Sequence, residues 1–256
     1  MKKIVFMLIA AIAITTTGAY AASKDFYQIK IYHLKTESQE QQVDNYLKNA
    51  YLPALHRAGI KMAGVFKPVK NVDGERLIYV FLPFKSMNDF QKLPQKLEKD
   101  EAYKRDGVAY LTAAYNAVPY ERLETILLNA FEGSPHFNLS SVSTPKSERI
   151  YELRSYEGHT ETISKNKIEM FNKGDEIGLF KRLGFNAVFY GEVIAGSRMP
   201  NLMYLTTFSN KADRDQHWDA FSKDAYWKVL SAKGEYKNNV SKNVSLFLYP
   251  TEYSDI

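Results

Sequence analysis

The sequence has no cysteine, and this absence excludes disulfide bonds, thiolate nucleophiles and thiolate zinc sites together. It has only five histidines, and no two of them have the His-x-His or His-x-x-x-His spacing of a local metal site. Glycine-rich phosphate-binding motifs and the Gly-x-Ser-x-Gly elbow are also missing. We therefore predict no metal site and no cofactor, and we expect burial of apolar side chains to supply the stability.

Positive charge is in small excess, since 34 basic and 29 acidic residues give a formal net charge of +5. The densest basic stretch, residues 92–105, is interleaved with acidic side chains, as on a solvated helix face. This distribution is too weak for a nucleic-acid footprint. We predict no nucleic-acid partner and no helix that lies on a membrane surface.

The first 21 residues have the layout of a secretory signal peptide. Lys2 and Lys3 precede an apolar run over residues 4–14, and Ala19-Tyr20-Ala21 is a small-residue cleavage site. The alternative is an N-terminal anchor, but the run is shorter than the roughly 20 residues that span a bilayer. We expect cleavage after Ala21, a periplasmic or secreted protein of bacterial type, and no membrane attachment afterwards.

The chain repeats itself. Tyr27-Gln-Ile-Lys-Ile-Tyr32 returns 124 residues later as Tyr151-Glu-Leu-Arg-Ser-Tyr156. Two further matches, Gly59 with Gly184 and residues 77–80 with residues 202–205, have an offset of 125. A repeat that keeps its order indicates a duplicated unit. We predict repeat 1 over residues 22–131, a linker rich in serine and proline over residues 132–148, and repeat 2 over residues 149–256.

Hydrophobic periodicity predicts the same order of elements, βαββαβ, in both repeats. Asp73-Gly74 indicates a hairpin turn, Gly59 a helix end, and Pro53 a kink. This order is that of the ferredoxin-like split βαβ fold. The predicted strands are residues 26–34, 60–69, 76–84, 122–131, 150–156, 185–194, 201–208 and 244–249, and the predicted helical regions are residues 38–57, 86–115, 161–183 and 211–233.

Several motifs of repeat 2 resemble the NIPSNAP family. They are the Tyr151-Glu-Leu-Arg-Ser-Tyr156 opening, Gly184 before a strand, the apolar strand around Tyr204, and the Trp218, Phe221, Asp224 and Trp227 pattern. Repeat 1 is the fainter match, because it lacks both tryptophans. The resemblance covers the mature chain as two NIPSNAP-like domains and implies a dimeric α+β barrel, in which two ferredoxin-like sheets face each other. One chain would supply both halves, so we expect a pseudo-dimer that is monomeric in solution.

Side chains alternate between the two faces of a strand. If the apolar set Tyr27, Ile29 and Ile31 lies under the helices, Lys30 and Tyr32 point into the barrel. A slip of one residue would reverse every such assignment.

The same alternation sends Arg154 and Tyr156 inward in repeat 2. Buried cations need partners, so the arginine could hold an anionic ligand; alternatively, it pairs with Glu152 or Glu192 and fills space. The predicted ligand-binding residues are Lys30, Tyr32, Arg154 and Tyr156.

Three functions fit this sequence. The first is an exported NIPSNAP-like protein that binds a small, partly apolar molecule in the barrel. The second, implied by other members of the dimeric α+β barrel group, is a monooxygenase- or isomerase-like enzyme in which Tyr32, Tyr156 or His217 moves a proton. The third is an interaction module whose barrel is filled by side chains. No complete catalytic motif is present, so the catalytic residues are not identified, and the volume of the barrel separates these alternatives.

Overall fold

The computed structural model describes residues 23–139 and 141–256, so the predicted signal peptide lies outside the described residues. The strands are β1 Phe26–Leu34, β2 Gly64–Pro68, β3 Arg76–Phe84, β4 Arg122–Ala130, β5 Ile150–Glu157, β6 Asn186–Ala195, β7 Asn201–Phe208 and β8 Lys242–Pro250. The helices are α1 Glu37–Tyr46, α2 Leu52–Arg57, α3 Met87–Glu98, α4 Glu101–Asp106, α5 Val108–Leu111, α6 Glu161–Asn172, α7 Glu176–Arg182, α8 Lys211–Lys223 and α9 Ala225–Ala232.

The strands form one closed barrel in the order β1-β3-β2-β8-β5-β7-β6-β4. All neighbours are antiparallel, and the two repeats join where β2 pairs with β8 and β4 pairs with β6. Each repeat therefore contributes a four-stranded sheet with its own helices. The predicted fold, two ferredoxin-like repeats that form a dimeric α+β barrel within one chain, is confirmed.

Local sequence explains where the elements begin and end. Ser86 and Asn210 are the N-caps of α3 and α8. The side-chain oxygen of each accepts a hydrogen bond from the backbone N–H of the residue three positions later. Asp73 and Gly74 form the hairpin turn with positive φ angles of 52° and 81°, and Gly59 follows α2 with φ 100°. These features match the sequence predictions.

All four predicted helical regions are interrupted: residues 86–115 break after Glu98 and after Asp106, residues 211–233 break at Asp224, and two further breaks lie in the other two regions. The chain widens into a π-helical turn over Leu47–Tyr51 between α1 and α2, directly before Pro53, which has no N–H to donate. The second break follows α6, where Asp175 adopts the left-handed conformation at φ 55°.

The second half of the repeat match needs a correction. Tyr32 pairs with Ile78 in repeat 1, and its equivalent Tyr156 pairs with Leu202 in repeat 2. The true offset of β3 and β7 is thus 124 residues, and the predicted 125 is wrong. The two strands carry tyrosines one position apart, which made the shifted match look better than the structural one.

Apolar side chains form three layers. The central layer fills the barrel between the two sheets, and one outer layer lies between each sheet and its helices. The strands β1, β3, β5 and β7 are consequently largely buried on both faces, whereas β4 and β8 are partly exposed on their outer faces. Within the described residues, no helix is both long and apolar enough to cross a membrane.

Candidate functional site

The predicted direction of the β1 and β5 side chains is wrong. Tyr27, Ile29 and Ile31 belong to the central layer, whereas Tyr32 belongs to the helix-covered layer of repeat 1. Because both faces of the sheet are buried, an apolar strand face does not identify the helix side. Lys30, Tyr32, Arg154 and Tyr156 all lie on the helix side. A ligand of these residues, which stays a prediction, would have to enter between sheet and helices.

Arg154 is held in an ion pair. Its guanidinium donates to Glu152 at 2.9 Å, and Glu152, which is fully buried, also accepts hydrogen bonds from Arg214, Trp218 and Ser245. Burial alone would raise the pKa of Glu152, but the hydrogen bonds from Arg214 and Ser245 and the nearby positive charges hold that pKa below its usual value. The alternative that Arg154 pairs with Glu152 is therefore confirmed.

Lys30, the equivalent of Arg154, has no such counterion. Gln28 occupies the position that Glu152 has in repeat 2, and its side chain hydrogen-bonds Thr125 at 3.4 Å. The Lys30 ammonium lies 4.7 Å from the ring centroid of Tyr51 and 5.5 Å from that of Tyr32. In the part of the chain that the structure describes, no carboxylate lies within 4.0 Å of it. Burial lowers the pKa of Lys30 to about 8.

The three proposed proton carriers are also remote from the barrel interior. The Tyr156 hydroxyl hydrogen-bonds Tyr204 at 2.9 Å, and burial raises the pKa of Tyr32 and of Tyr156. The His217 Nδ1–H donates to the Asp213 carbonyl oxygen at 2.8 Å, and the ring packs against Phe185. Tyr156 and Phe185 belong to the outer layer of repeat 2.

Aromatic rings fill the middle of the barrel. Phe81 and Phe189, one from each repeat, stack with centroids 4.8 Å apart. Tyr27 contacts both rings, and Phe66 packs against Tyr151 at 4.8 Å. Side chains from both repeats therefore pack against each other at this level of the barrel, as the third function predicts.

One end of the barrel is open. A cleft of about 250 Å³ lies where β1 and β5 approach their carboxyl ends, and both repeats contribute to it. The hairpin loops β2–β3 and β6–β7 border its entrance. The apolar lining consists of Ile31, Val72, Leu77, Tyr79, Ile126, Leu153, Met203, Val244 and Leu246. The polar lining consists of His33, Asp73, Glu75, Glu124, Ser155, Ser197, Arg198 and Asn201.

His33 is the central polar group of this cleft. Its Nδ1 lies 2.8 Å from a Glu75 carboxylate oxygen, and its Nε2 lies 2.9 Å from a Glu124 carboxylate oxygen. The imidazole is mostly buried, with 20% of its side chain exposed, whereas Glu75 is 54% exposed on the hairpin loop. Glu124 is on the strand β4 and its side chain is 41% exposed, so two partly exposed carboxylates contact the ring, one at each nitrogen.

Two further polar features complete the cleft. Burial and the charge of Glu124 raise the pKa of Tyr79 to about 12, against the opposing charge of Arg198, so the phenol stays protonated at neutral pH. On the repeat 2 side, Asn201 donates to the Ser155 hydroxyl at 2.8 Å. The cleft thus places one imidazole, several neutral hydrogen-bonding groups and four charged side chains against apolar walls.

This site was not predicted from the sequence because its polar residues are far apart in the chain. His33 is separated from Glu75 by 42 residues and from Glu124 by 91. One clue was available. His33 shares the strand face of Ile29 and Ile31, so the correct direction for that face would have placed the histidine at the barrel mouth. No group of three or more His, Cys, Asp or Glu side chains within residues 23–139 and 141–256 could hold a metal ion.

The comparisons with known proteins agree with this architecture. Residues 151–255 match the NIPSNAP family model, so repeat 2 is similar to a NIPSNAP domain. A candidate monooxygenase from Fusobacterium nucleatum has 9% sequence identity and a TM-score of 0.59, with 90% of this chain and 93% of that chain covered. No curated protein matches the sequence.

Two other solved structures share the fold. A candidate monooxygenase from Lactobacillus acidophilus has 10% identity and a TM-score of 0.57, covering 89% of this chain and 94% of that one. An anthrone oxidase-like protein has 13% identity and a TM-score of 0.52, covering 90% and 93%. At such low identity these similarities establish the fold alone.

Proposed function

We propose that this protein binds a small, partly apolar molecule in the cleft at the open end of its barrel. The observation that carries the proposal is the position of the His33 imidazole, held by Glu124 against walls supplied by both repeats. Apolar walls with a few convergent polar groups are typical of small-molecule sites. The cleft volume of about 250 Å³ lies below the roughly 300–1,000 Å³ of drug-sized sites, which favours a ligand of one or two rings.

The test is to fill the cleft from its rim. Val244 lines the cleft on β8 and is only partly buried, so Val244→Trp should occupy the space without disturbing the core. We expect small molecules that co-purify with the wild-type protein, detected by native mass spectrometry, to be lost from this variant. Leu123→Trp, at an exposed position on β4, is the matched control. Equal retention by both variants would contradict binding in the cleft.

A second candidate function is proton transfer, as in an isomerase. The specific observation that favours it is the His33–Glu124 pair, since a histidine oriented by a carboxylate is a common general base. In the resting geometry both ring nitrogens are engaged. Nδ1 can act as a base only without a proton, so Glu75, whose exposed position allows it to move, would have to leave and the Nδ1 proton would have to pass to solvent. The nitrogen could then take a proton from an acidic C–H group and return it to another carbon.

This enzyme function has a separate test. The co-purified molecule, incubated with the protein in deuterium oxide, should exchange a C–H hydrogen, and His33→Gln should abolish the exchange while the molecule still binds. Exchange at the wild-type rate in His33→Gln would rule out this residue as the base. A monooxygenase reaction in the same cleft would in addition consume dioxygen, which an oxygen electrode measures.

The packed middle of the barrel favours the third function, an interaction module, over a deep internal site. The cleft at the open end supports the two functions that require a bound small molecule, because it combines an apolar wall with a titratable group. We also propose that residues 1–21 are a cleaved signal peptide, that the mature protein is periplasmic or secreted, and that the tethered pseudo-dimer is monomeric. The joining of both half-barrels in one chain supports the last point.

A further inference from the structure

A second cavity, distinct from the barrel mouth, lies at the opposite end of repeat 1. This groove, which we call the lysine groove, has a volume of about 430 Å³. It lies between the α2–β2 loop, the carboxyl end of β3 and the helix α3. Its lining consists of Asp25, Ala58, Gly59, Ile60, Lys61, Met62, Pro83, Phe84, Lys85, Asp89, Leu93, Lys96 and Phe137.

The same place in repeat 2 is filled by aromatic side chains. The caps Ser86 and Asn210 align α3 with α8, so Leu93 corresponds to His217. His217 packs on Phe185, the equivalent of Ile60, and reaches to 3.3 Å from the position that a Cβ on Gly184 would take. The corresponding Gly59 has open space around it. The lysine groove therefore exists because repeat 1 has smaller side chains at these positions.

The basic rim is also specific to repeat 1. At the positions of Lys61, Lys85 and Lys96, repeat 2 carries the uncharged residues Asn186, Ser209 and Ala220. Three lysines of repeat 1 therefore border a groove whose equivalent positions in repeat 2 carry no lysine. The combination of an apolar floor and a cationic rim fits an amphiphilic anion.

The charges in the lysine groove leave room for an anion. Lys61 and Lys96 each donate to one backbone carbonyl, of His56 and Ala58, at 3.1 and 2.9 Å. Among residues 23–139 and 141–256, neither forms an ion pair within 4.0 Å. Each ammonium has three donors, so both keep donors for a ligand.

The acidic residues of the groove are already engaged. Asp25, which is 2% exposed, lies 3.2 Å from both Lys85 and His136. Asp89 accepts a hydrogen bond from the Ser86 hydroxyl at 2.7 Å. The groove lining thus has three lysines and two aspartates, and because Lys85 pairs with Asp25, Lys61 and Lys96 are the cations that would meet a new anion.

We propose that the lysine groove binds a small alkyl carboxylate, with the chain on the Ile60, Phe84 and Leu93 floor and the carboxylate between Lys61 and Lys96. Its volume lies within the range of small-molecule sites. The apolar floor supplies binding free energy by removing the alkyl chain from water, and the two ammonium groups select the charged head group.

Isothermal titration calorimetry with octanoate and octanol tests this site. We expect octanoate to bind the wild-type protein about fivefold more tightly than octanol, because two exposed ion pairs each contribute modestly. The double variant Lys61→Gln, Lys96→Gln should remove that difference and leave octanol binding unchanged. Lys92→Gln, on the same helix but outside the groove, is the control and should bind octanoate as the wild type does.

Filling the groove provides the second variant. Ile60→Phe introduces the side chain that repeat 2 carries and should weaken both ligands, whereas Val244→Trp in the barrel mouth should change neither. Circular dichroism melting curves establish that each variant is folded. Absence of octanoate binding to the wild type, equal affinity for octanoate and octanol, or full affinity in Ile60→Phe would each overturn the proposal.

Discussion

Replacing Glu152 by glutamine should destabilise the protein strongly. Glu152 is fully buried and faces Arg154 and Arg214, whose side chains are only 13% and 18% exposed. Glutamine has nearly the same shape and keeps one acceptor oxygen, but it removes the negative charge between two guanidinium groups. Breaking a buried ion pair by removing one partner costs about 3–5 kcal/mol; because glutamine keeps part of the hydrogen bonding, we expect about 3 kcal/mol.

Urea denaturation followed by circular dichroism measures this loss as a lower midpoint at an unchanged m-value. In a domain of this size 1 kcal/mol corresponds to about 2–4 °C, so the melting temperature should fall by roughly 6–12 °C. The matched control is Gln28→Ala, which changes the equivalent position in repeat 1, where no carboxylate is present and the only side-chain hydrogen bond is long. A loss below about 1 kcal/mol for Glu152→Gln would refute the view that this carboxylate holds the two arginines.

The pH dependence gives an independent check. The pKa of Glu152 is lowered in the folded protein, so its ionised form contributes stability that is present above the unfolded-state value of about 4.5. That contribution disappears as the pH falls through the lower folded-state pKa. The difference between the wild type and Glu152→Gln should therefore be constant near neutral pH and should narrow in acid.

Three further predictions address the remaining features. Lys30→Met should raise the free energy of unfolding by about 1 kcal/mol at pH 7. Because the pKa of Lys30 is lowered to about 8, this gain should shrink as the pH rises from 8 toward the ordinary lysine pKa. A gain that stays constant with pH would exclude a buried charge as its cause. N-terminal sequencing of fractionated cells should return Ala22 from the periplasm or medium, and Met1 in the membrane fraction would contradict the signal peptide. Multi-angle light scattering should find a monomer, and an obligate dimer would show that the tethered halves are not sufficient.

The fold was largely predictable because its signals are local. Asp73-Gly74 specifies a tight hairpin, and Gly59 specifies a helix end that few other residues adopt at φ 100°. The strand β1 was predicted with the bounds that the structure has. Because the same order of strands and helices occurs twice in one chain, the sequence also predicted that two similar units form the barrel together.

The direction of the strand faces was not predictable from the same pattern. Hydrophobic alternation identifies a buried face only where the other face is exposed, and here both are covered. On β1, Tyr27 points into the barrel and Tyr32 points under the helices, and both are fully buried. Only the closure of the barrel, which depends on long-range pairing of β2 with β8 and β4 with β6, decides between them.

The tether between the repeats explains why the barrel mouth can be asymmetric. In a dimer of identical subunits, a residue that faces the mouth appears twice, so a second histidine would occur opposite His33. In this chain the equivalent of His33 is Glu157, and the equivalent of Glu124 is Val244, as the pairing of these strands with Ile31 and Ser155 establishes. Repeat 1 therefore supplies the imidazole and its carboxylates, while repeat 2 supplies apolar walls, neutral polar groups and Arg198. In the proposed site, such a division would orient an unsymmetrical ligand in one direction only, because its polar group could reach His33 from a single side of the cleft.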